Sequence, residues 1–157
     1  MSLTIREAVR KRANFICEYC HSSEEGSTGR FTMDHLIPRS LGGRDDEMNL
    51  ALACTRCNGR RYNFIDGIDP ETQALAKPPG TGIVRLFNPR QDEWNDHFIW
   101  SQDGQRIVAV SSTGRATLMR LDMNDDRHDD GSICRARRLW IRGGWHPPSQ
   151  DPQLGSG

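Results

Sequence analysis

Four cysteines in two matched pairs offer the first chemistry: Cys17-Glu18-Tyr19-Cys20 and Cys54-Thr55-Arg56-Cys57. Two residues between thiolates let both sulfurs of a pair point at one ion. Two such knuckles complete a closed, tetrahedral, structural Zn²⁺ site. The 33 residues between the pairs exceed the usual zinc-ribbon spacing, so a small element must fold between them. A disulfide pair or buried free thiols are the competing readings. Two matched pairs behind an N-terminus with no apolar signal core disfavour both. Cys134 stands alone and reads as a small apolar residue. His21 follows Cys20 and reads as a surface residue, since four sulfurs already suffice.

Between the knuckles lies a second set of reactive types. Metal-assisted hydrolysis needs an activated water, a cation on the developing charge and help for the leaving group. Imidazole titrates near neutral pH, so His35 suits a general base. Asp34 is a hard oxygen donor, suited to Mg²⁺ or Mn²⁺. Neighbours in a strand point to opposite faces, so the strand must end or bulge there for both to serve one site. Asn58, four residues after Cys54, alone would read as a helix cap. Asn63 lies further along the expected helix and could assist. Arg39, Arg44, Arg56, Arg60 and Arg61 crowd the stretch. Arg39, Arg60 and Arg61 are candidate DNA-binding residues; the competing reading for Arg39 and Arg44 is a solvated loop paired with Asp45, Asp46 and Glu47.

The order Asp34-His35, Pro38, Gly42-Gly43, Asn49-Leu50, then Cys54-x-x-Cys57-Asn58 resembles the HNH endonuclease family. The resemblance covers residues 15–63. It implies a hairpin and one helix around a single divalent metal, the ββα-metal motif. It implies that Asp34 and Asn58 hold a catalytic Mg²⁺ or Mn²⁺, with Asn58 at a position where family members carry His or Asn. The motif then reads His35-Asn49-Asn58. Asn49 is implied to hold the loop and His35, a task suited to a side-chain amide. The implied products are 3′-hydroxyl and 5′-phosphate ends.

Elements must position these groups. Leu3, Ile5, Ala8, Val9 and Ala13 space as a short amphipathic helix over 3–14, capped by Ser2 or Thr4. Phe31–Ile37 and Asn49–Ala53 read as strands, and a helix is expected from Asn58 to Phe64. Residues 66–82, rich in Gly and Pro, read as a linker or irregular connection. Beyond them Ile83–Phe87 reads as a strand, and two β-rich runs flank Asp103-Gly104 as a hairpin. Helices are expected over 113–121, after Ser112, and over 132–142, the latter with Ile133, Ala136, Leu139 and Trp140 on one side. Trp94, Trp100, Trp140 and Trp145 read as core. Arg135, Arg137, Arg138 and Arg142 form a basic cluster, either a DNA contact or a wet face. His97, His128 and His146 have no assignable partner. This half resembles, more softly, the tail of small bacterial, often cyanobacterial, HNH proteins.

The fold class is therefore α+β: a ββα-metal module framed by a structural four-cysteine zinc site, with a C-terminal α+β element containing a hairpin and helices. The expected divisions are 1–66 nuclease module, 67–82 linker, 83–148 C-terminal element and 149–157 disordered tail. The 157 residues suit one domain with an appendage. Basic and acidic residues balance at 21 each, so mean charge gives no pull towards nucleic acid and any contact must be a local patch. All but Lys11 and Lys77 of the basic residues are arginine, which suits phosphate but equally reflects composition bias. No apolar run is long enough to span a membrane. The expected function is hydrolysis of DNA by a bacterial cytoplasmic HNH endonuclease with Zn²⁺ and Mg²⁺ or Mn²⁺, acting alone, as a homodimer or in a larger nuclease assembly. The alternative is a zinc-stabilised nucleic-acid-binding module without independent cleavage, part of a larger defence or CRISPR-type effector.

Overall fold

The structure is a computed structural model and describes residues 1–75 and 82–148. It divides into two units. Unit one is Met1–Ile65 with Asn88–Asp92; unit two comprises the described residues of Asp66–Phe87 and 93–148.

In unit one, helix α1 spans Leu3–Arg12. Ser2 caps it, its hydroxyl accepting from the Ile5 N–H at 3.2 Å, and Arg10, Lys11 and Arg12 sit where the helix dipole favours cations. The expected apolar stripe is only partly the buried one. Val9 and Ala13 are fully buried, Leu3 is 73% exposed, and Arg10 points inward. Arg10 is tolerated there because Glu24 takes its Nε at 3.1 Å and the Phe31 carbonyl takes its Nη2 at 2.9 Å.

The first knuckle follows. The Cys17 N–H donates to the Ser22 carbonyl and the His21 N–H to the Cys17 carbonyl. His21 corrects the expected surface position: it is buried, at φ +61°. Glu18 ties the knuckle to the next strand, donating its N–H to the Leu52 carbonyl and accepting the Leu52 N–H on its carboxylate. Strand β1, Thr32–His35, pairs antiparallel with β2, Leu50–Ala53, placing Asp34 opposite Ala51 and His35 opposite Leu50. Helix α2, Thr55–Arg61, follows directly. It starts earlier than expected because the Cys54 sulfur caps it, accepting from the Cys57 N–H at 3.4 Å. It ends at Arg61, where Tyr62 turns to φ +52°. β1, β2 and α2 form the expected ββα arrangement.

Unit two begins inside the expected linker. Asp66–Ile68 is strand β3 and Pro70–Leu75 is helix α3; residues 76–81 lie outside the described residues, as does the tail from 149. β3 pairs antiparallel with β4, Ile83–Arg85. The expected hairpin is β5, Phe98–Trp100, with β6, Ile107–Ala109. Helix α4, Ser112–Leu121, is capped by Ser111 rather than Ser112. Helix α5 spans Ser132–Gly143. Asn88–Asp92 departs from the expected C-terminal element: it belongs to unit one, where the Arg90 guanidinium pairs with the Glu18 carboxylate.

Phe87, Trp94, Phe98, Ile107, Leu121 and Met123 build the core of unit two. Trp145 departs from the expected core position, being 48% exposed, and its ring lies over Gly143, where a Cβ would come within 1.7 Å. Leu139 is likewise exposed. The basic cluster on α5 does not act as one. Arg137 is fully buried, donating to Asn124 Oδ1, the Met123 carbonyl and the Gln105 carbonyl. The three histidines have partners: Ser111 for His97, Asp122 for His128 and the Gly104 carbonyl for His146. Cys134 is half-buried, its thiol 3.5 Å from the Asn124 carbonyl.

Asp69 anchors α3 to α4. Its buried carboxylate accepts both Arg115 Nε and Nη2, at 2.9 and 3.0 Å, and the Thr72 hydroxyl. These bonds, Arg115 first, hold its pKa below the usual carboxylate range. The unfolded chain therefore takes up this proton first as pH falls through about 4. The pair's contribution is complete above that value and is lost on further acidification. Asp69→Asn is expected to lower the melting temperature at pH 7 and to flatten its fall between about pH 4 and 2, a difference readable by calorimetry across pH.

Candidate functional site

Asp34, His35, Asn58 and Asn63 all line one cavity of about 310 Å³, with Met33, Pro38, Arg39, Gly59 and Tyr62. The requirement on the strand is met by its ending: β1 stops at His35, in regular register and without a bulge. Asn63 reaches the cavity from the turn after α2, not from the helix itself. Asn49 does not line it. Its side chain instead holds the loop, accepting from the Ile37 N–H at 2.8 Å and donating to the Ile37 and Arg44 carbonyls. Gly43 passes so close to this brace that a Cβ would fall 1.7 Å from the Ile37 carbonyl oxygen.

His35 has a partner that spacing alone offered only as a counter-ion for arginine. Its Nε2 lies 2.7 Å from Asp45 Oδ1. The same carboxylate receives the Arg39 guanidinium at 2.9 Å. His35 and then Arg39 hold the Asp45 carboxyl down to about 2, so it is an anion throughout the neutral range. An anion there favours the proton on Nε2 and leaves Nδ1 as the lone-pair nitrogen. Nδ1 makes no hydrogen bond among the described residues. No spacing rule pointed to Asp45, because nine residues separate it from His35.

Asp34 is buried and heavily engaged. Tyr19, from inside the first knuckle, donates its hydroxyl to Oδ2 at 2.5 Å. Arg61 Nη1 donates to Oδ1 at 3.2 Å and Oδ2 at 3.0 Å. Burial raises the Asp34 pKa, and Arg61 opposes the rise. Burial, then the Asp34 charge, push the Tyr19 phenol well above its usual value, so it remains a donor. Arg61 corrects its expected role. It is 3% exposed and also binds the His35 and Leu36 carbonyls, so it faces inward rather than towards a phosphate. Arg60 is half-buried and outside the cavity lining, whereas Arg39 is exposed and within it.

A divalent cation fits the donor set in part. A carboxylate offers about four lone-pair positions. The three hydrogen bonds leave one on Oδ1, in a cavity that Asn58 also lines. Hard oxygen donors of this kind suit Mg²⁺ or Mn²⁺.

The four cysteines make a separate centre. Their sulfurs lie within 4.8 Å of one another and are buried. Cys20 and Cys54 Sγ are 3.7 Å apart, matching the roughly 3.8 Å edge of a tetrahedron with ~2.3 Å metal–sulfur bonds. Hydrogen bonds from the other three hold the Cys20 thiol well below its usual pKa, while burial pushes Cys17 up. The cluster is able to bind a metal such as zinc.

No helix among the described residues is long and apolar enough to cross a membrane. No curated protein and no solved structure matches the chain. Residues 17–64 match the family model of the HNH endonucleases.

Proposed function

We propose, from the premise that residues 17–64 form an HNH endonuclease domain, that the protein hydrolyses DNA phosphodiester bonds with one divalent cation and His35 as general base. The observation that carries this reading is the convergence of Asp34, His35 and Asn58 on one cavity within the matched segment. Asp34 and Asn58 would hold Mg²⁺ or Mn²⁺, and Cys17, Cys20, Cys54 and Cys57 structural Zn²⁺. A bound divalent cation would offset charge on the pentacoordinate phosphorus and assist the leaving oxygen. His35 takes the proton of the attacking water at Nδ1 while Asp45 steadies the imidazolium through Nε2. Asn49 keeps the loop carrying Asp45 closed against Ile37. Arg39 stands at the cavity wall, where an incoming phosphate would draw it from Asp45.

Plasmid cleavage by purified zinc-loaded protein in Mg²⁺ or Mn²⁺, against the same protein with no divalent cation added, tests the reading. Metal-dependent nicking or linearisation is expected. Zinc-loaded, folded protein that cuts under no metal would overturn it. Asp45→Asn is expected to slow cleavage within the roughly 10²- to 10⁴-fold that a positioned general base supplies, and by less than loss of His35. Rate constants across pH check this; unchanged rates would remove Asp45 from the mechanism.

One observation favours a second reading, a nucleic-acid-binding module that does not cut alone. Arg61 already neutralises Asp34, and a divalent cation must share that carboxylate. Tight DNA binding by zinc-loaded protein without added divalent metal, with no cleavage under any metal, would select it.

A further inference from the structure

A second cavity, of about 280 Å³, adjoins the first. Its lining includes Arg6, Phe31, Thr32, Met33, His35 and Arg39. Met33, His35 and Arg39 line both, so the two cavities meet along β1 with His35 at their junction. The second differs in charge: Met1, Arg6 and Arg39 line it and no lining residue is acidic, while Asp45 pairs with Met1, His35 and Arg39 beside it. The first contains Asp34.

Arg6 distinguishes this cavity. Arg10, Arg12, Arg61 and Arg90 of the same unit are occupied by carboxylates or carbonyls. Arg39 is held by Asp45. The Arg6 side chain makes no hydrogen bond or ion pair among the described residues. It is exposed, yet it is carried on α1, which Val9 and Ala13 anchor in the core. An unpaired cation on a fixed helix, in a cleft none of whose lining residues is acidic and whose nearby Asp45 is already paired, is suited to a polyanion leaving the His35 junction. Neutral or cationic ligands gain nothing from it.

We propose that this second cavity is a subsite for a phosphodiester neighbouring the scissile one, with Arg6 as its phosphate contact. The proposal rests on the nuclease reading for the identity of the strand. It extends that reading to α1, which lies outside the segment matched to the family.

The test is duplex-DNA binding by the zinc-loaded full chain with no added Mg²⁺ or Mn²⁺, followed by fluorescence anisotropy over a series of salt concentrations. Arg6→Ala is expected to weaken binding about tenfold at low salt and to reduce the slope of log K against log salt by about one phosphate contact. Arg6→Lys should retain most of the slope, since it keeps the charge. Arg30→Ala removes another exposed arginine of unit one, outside both cavities, and should leave the slope unchanged. Wild-type affinity and slope in Arg6→Ala, or an equal loss in Arg30→Ala, would overturn the subsite while leaving the nuclease reading intact. Wild-type protein that neither binds nor cuts DNA would overturn both.

Discussion

His35→Ala is expected to bind DNA with near wild-type affinity and to cleave it about 10²- to 10⁴-fold more slowly, the range a positioned general base supplies. Nε2 is committed to Asp45, and Nδ1 has no partner among the described residues. The side chain stands at the end of β1, where the cavity is reached from Asp34 and Asn58 as well. Binding should survive because no described hydrogen bond other than that to Asp45 depends on the ring. The expected change is therefore in kcat, with KM little altered, as befits an interaction made chiefly in the transition state. Single-turnover cleavage at saturating Mn²⁺, beside anisotropy of zinc-loaded protein without added divalent cation, separates the two. Cleavage at the wild-type rate by His35→Ala would assign the base elsewhere and would remove the role given to Asp45.

Cys57→Ser, or stripping metal from the cysteine centre with a strong chelator, should unfold residues 15–63 before it alters chemistry. Metal binding to a structural four-cysteine site contributes free energy of about 10–16 kcal/mol in small zinc peptides at neutral pH. A ββα module of this size has little core to replace it. Here the loss would spread through named contacts. Cys54 caps α2, and Cys57 immediately precedes Asn58. Tyr19 lies between the first two cysteines and holds Asp34. Glu18 holds the backbone of Leu52 in β2. Freeing the knuckle thus releases the carboxylate and the strand together. Loss of zinc by elemental analysis, with loss of amide exchange protection in β1, β2 and α2, is the expected result. A folded, zinc-free and active Cys57→Ser protein would refute the structural role.

Much of unit one was legible because its signals are local or regularly spaced. Paired cysteines announce a metal knuckle without knowledge of the fold. Asp34-His35, Asn49 and Asn58 carry meaning through their order along the chain. The β5–β6 hairpin follows from apolar runs about Asp103-Gly104. Boundaries were less legible, since they depend on which group satisfies the last free backbone amide. Cys54 rather than Asn58 opens α2, and Ser111 rather than Ser112 opens α4.

Residue types and their spacing already establish the chemistry available: four sulfurs in two knuckles, and an imidazole, a carboxylate and amides between them. Which partner each charged group takes depends on how distant segments pack. Arg61 and Arg137 turn inward because carbonyls and polar side chains receive them there, with the Asp34 carboxylate among those around Arg61. Asp45 reaches His35 because Asn49 and Gly43 fold the loop back. Arg6 meets the junction at His35 because α1 is anchored at Val9 and Ala13. Sequence spacing encodes partners within a turn or a knuckle. The choice between solvent, ion pair and substrate for an arginine is a balance of desolvation against the contacts offered, and those contacts exist only once distant segments have packed.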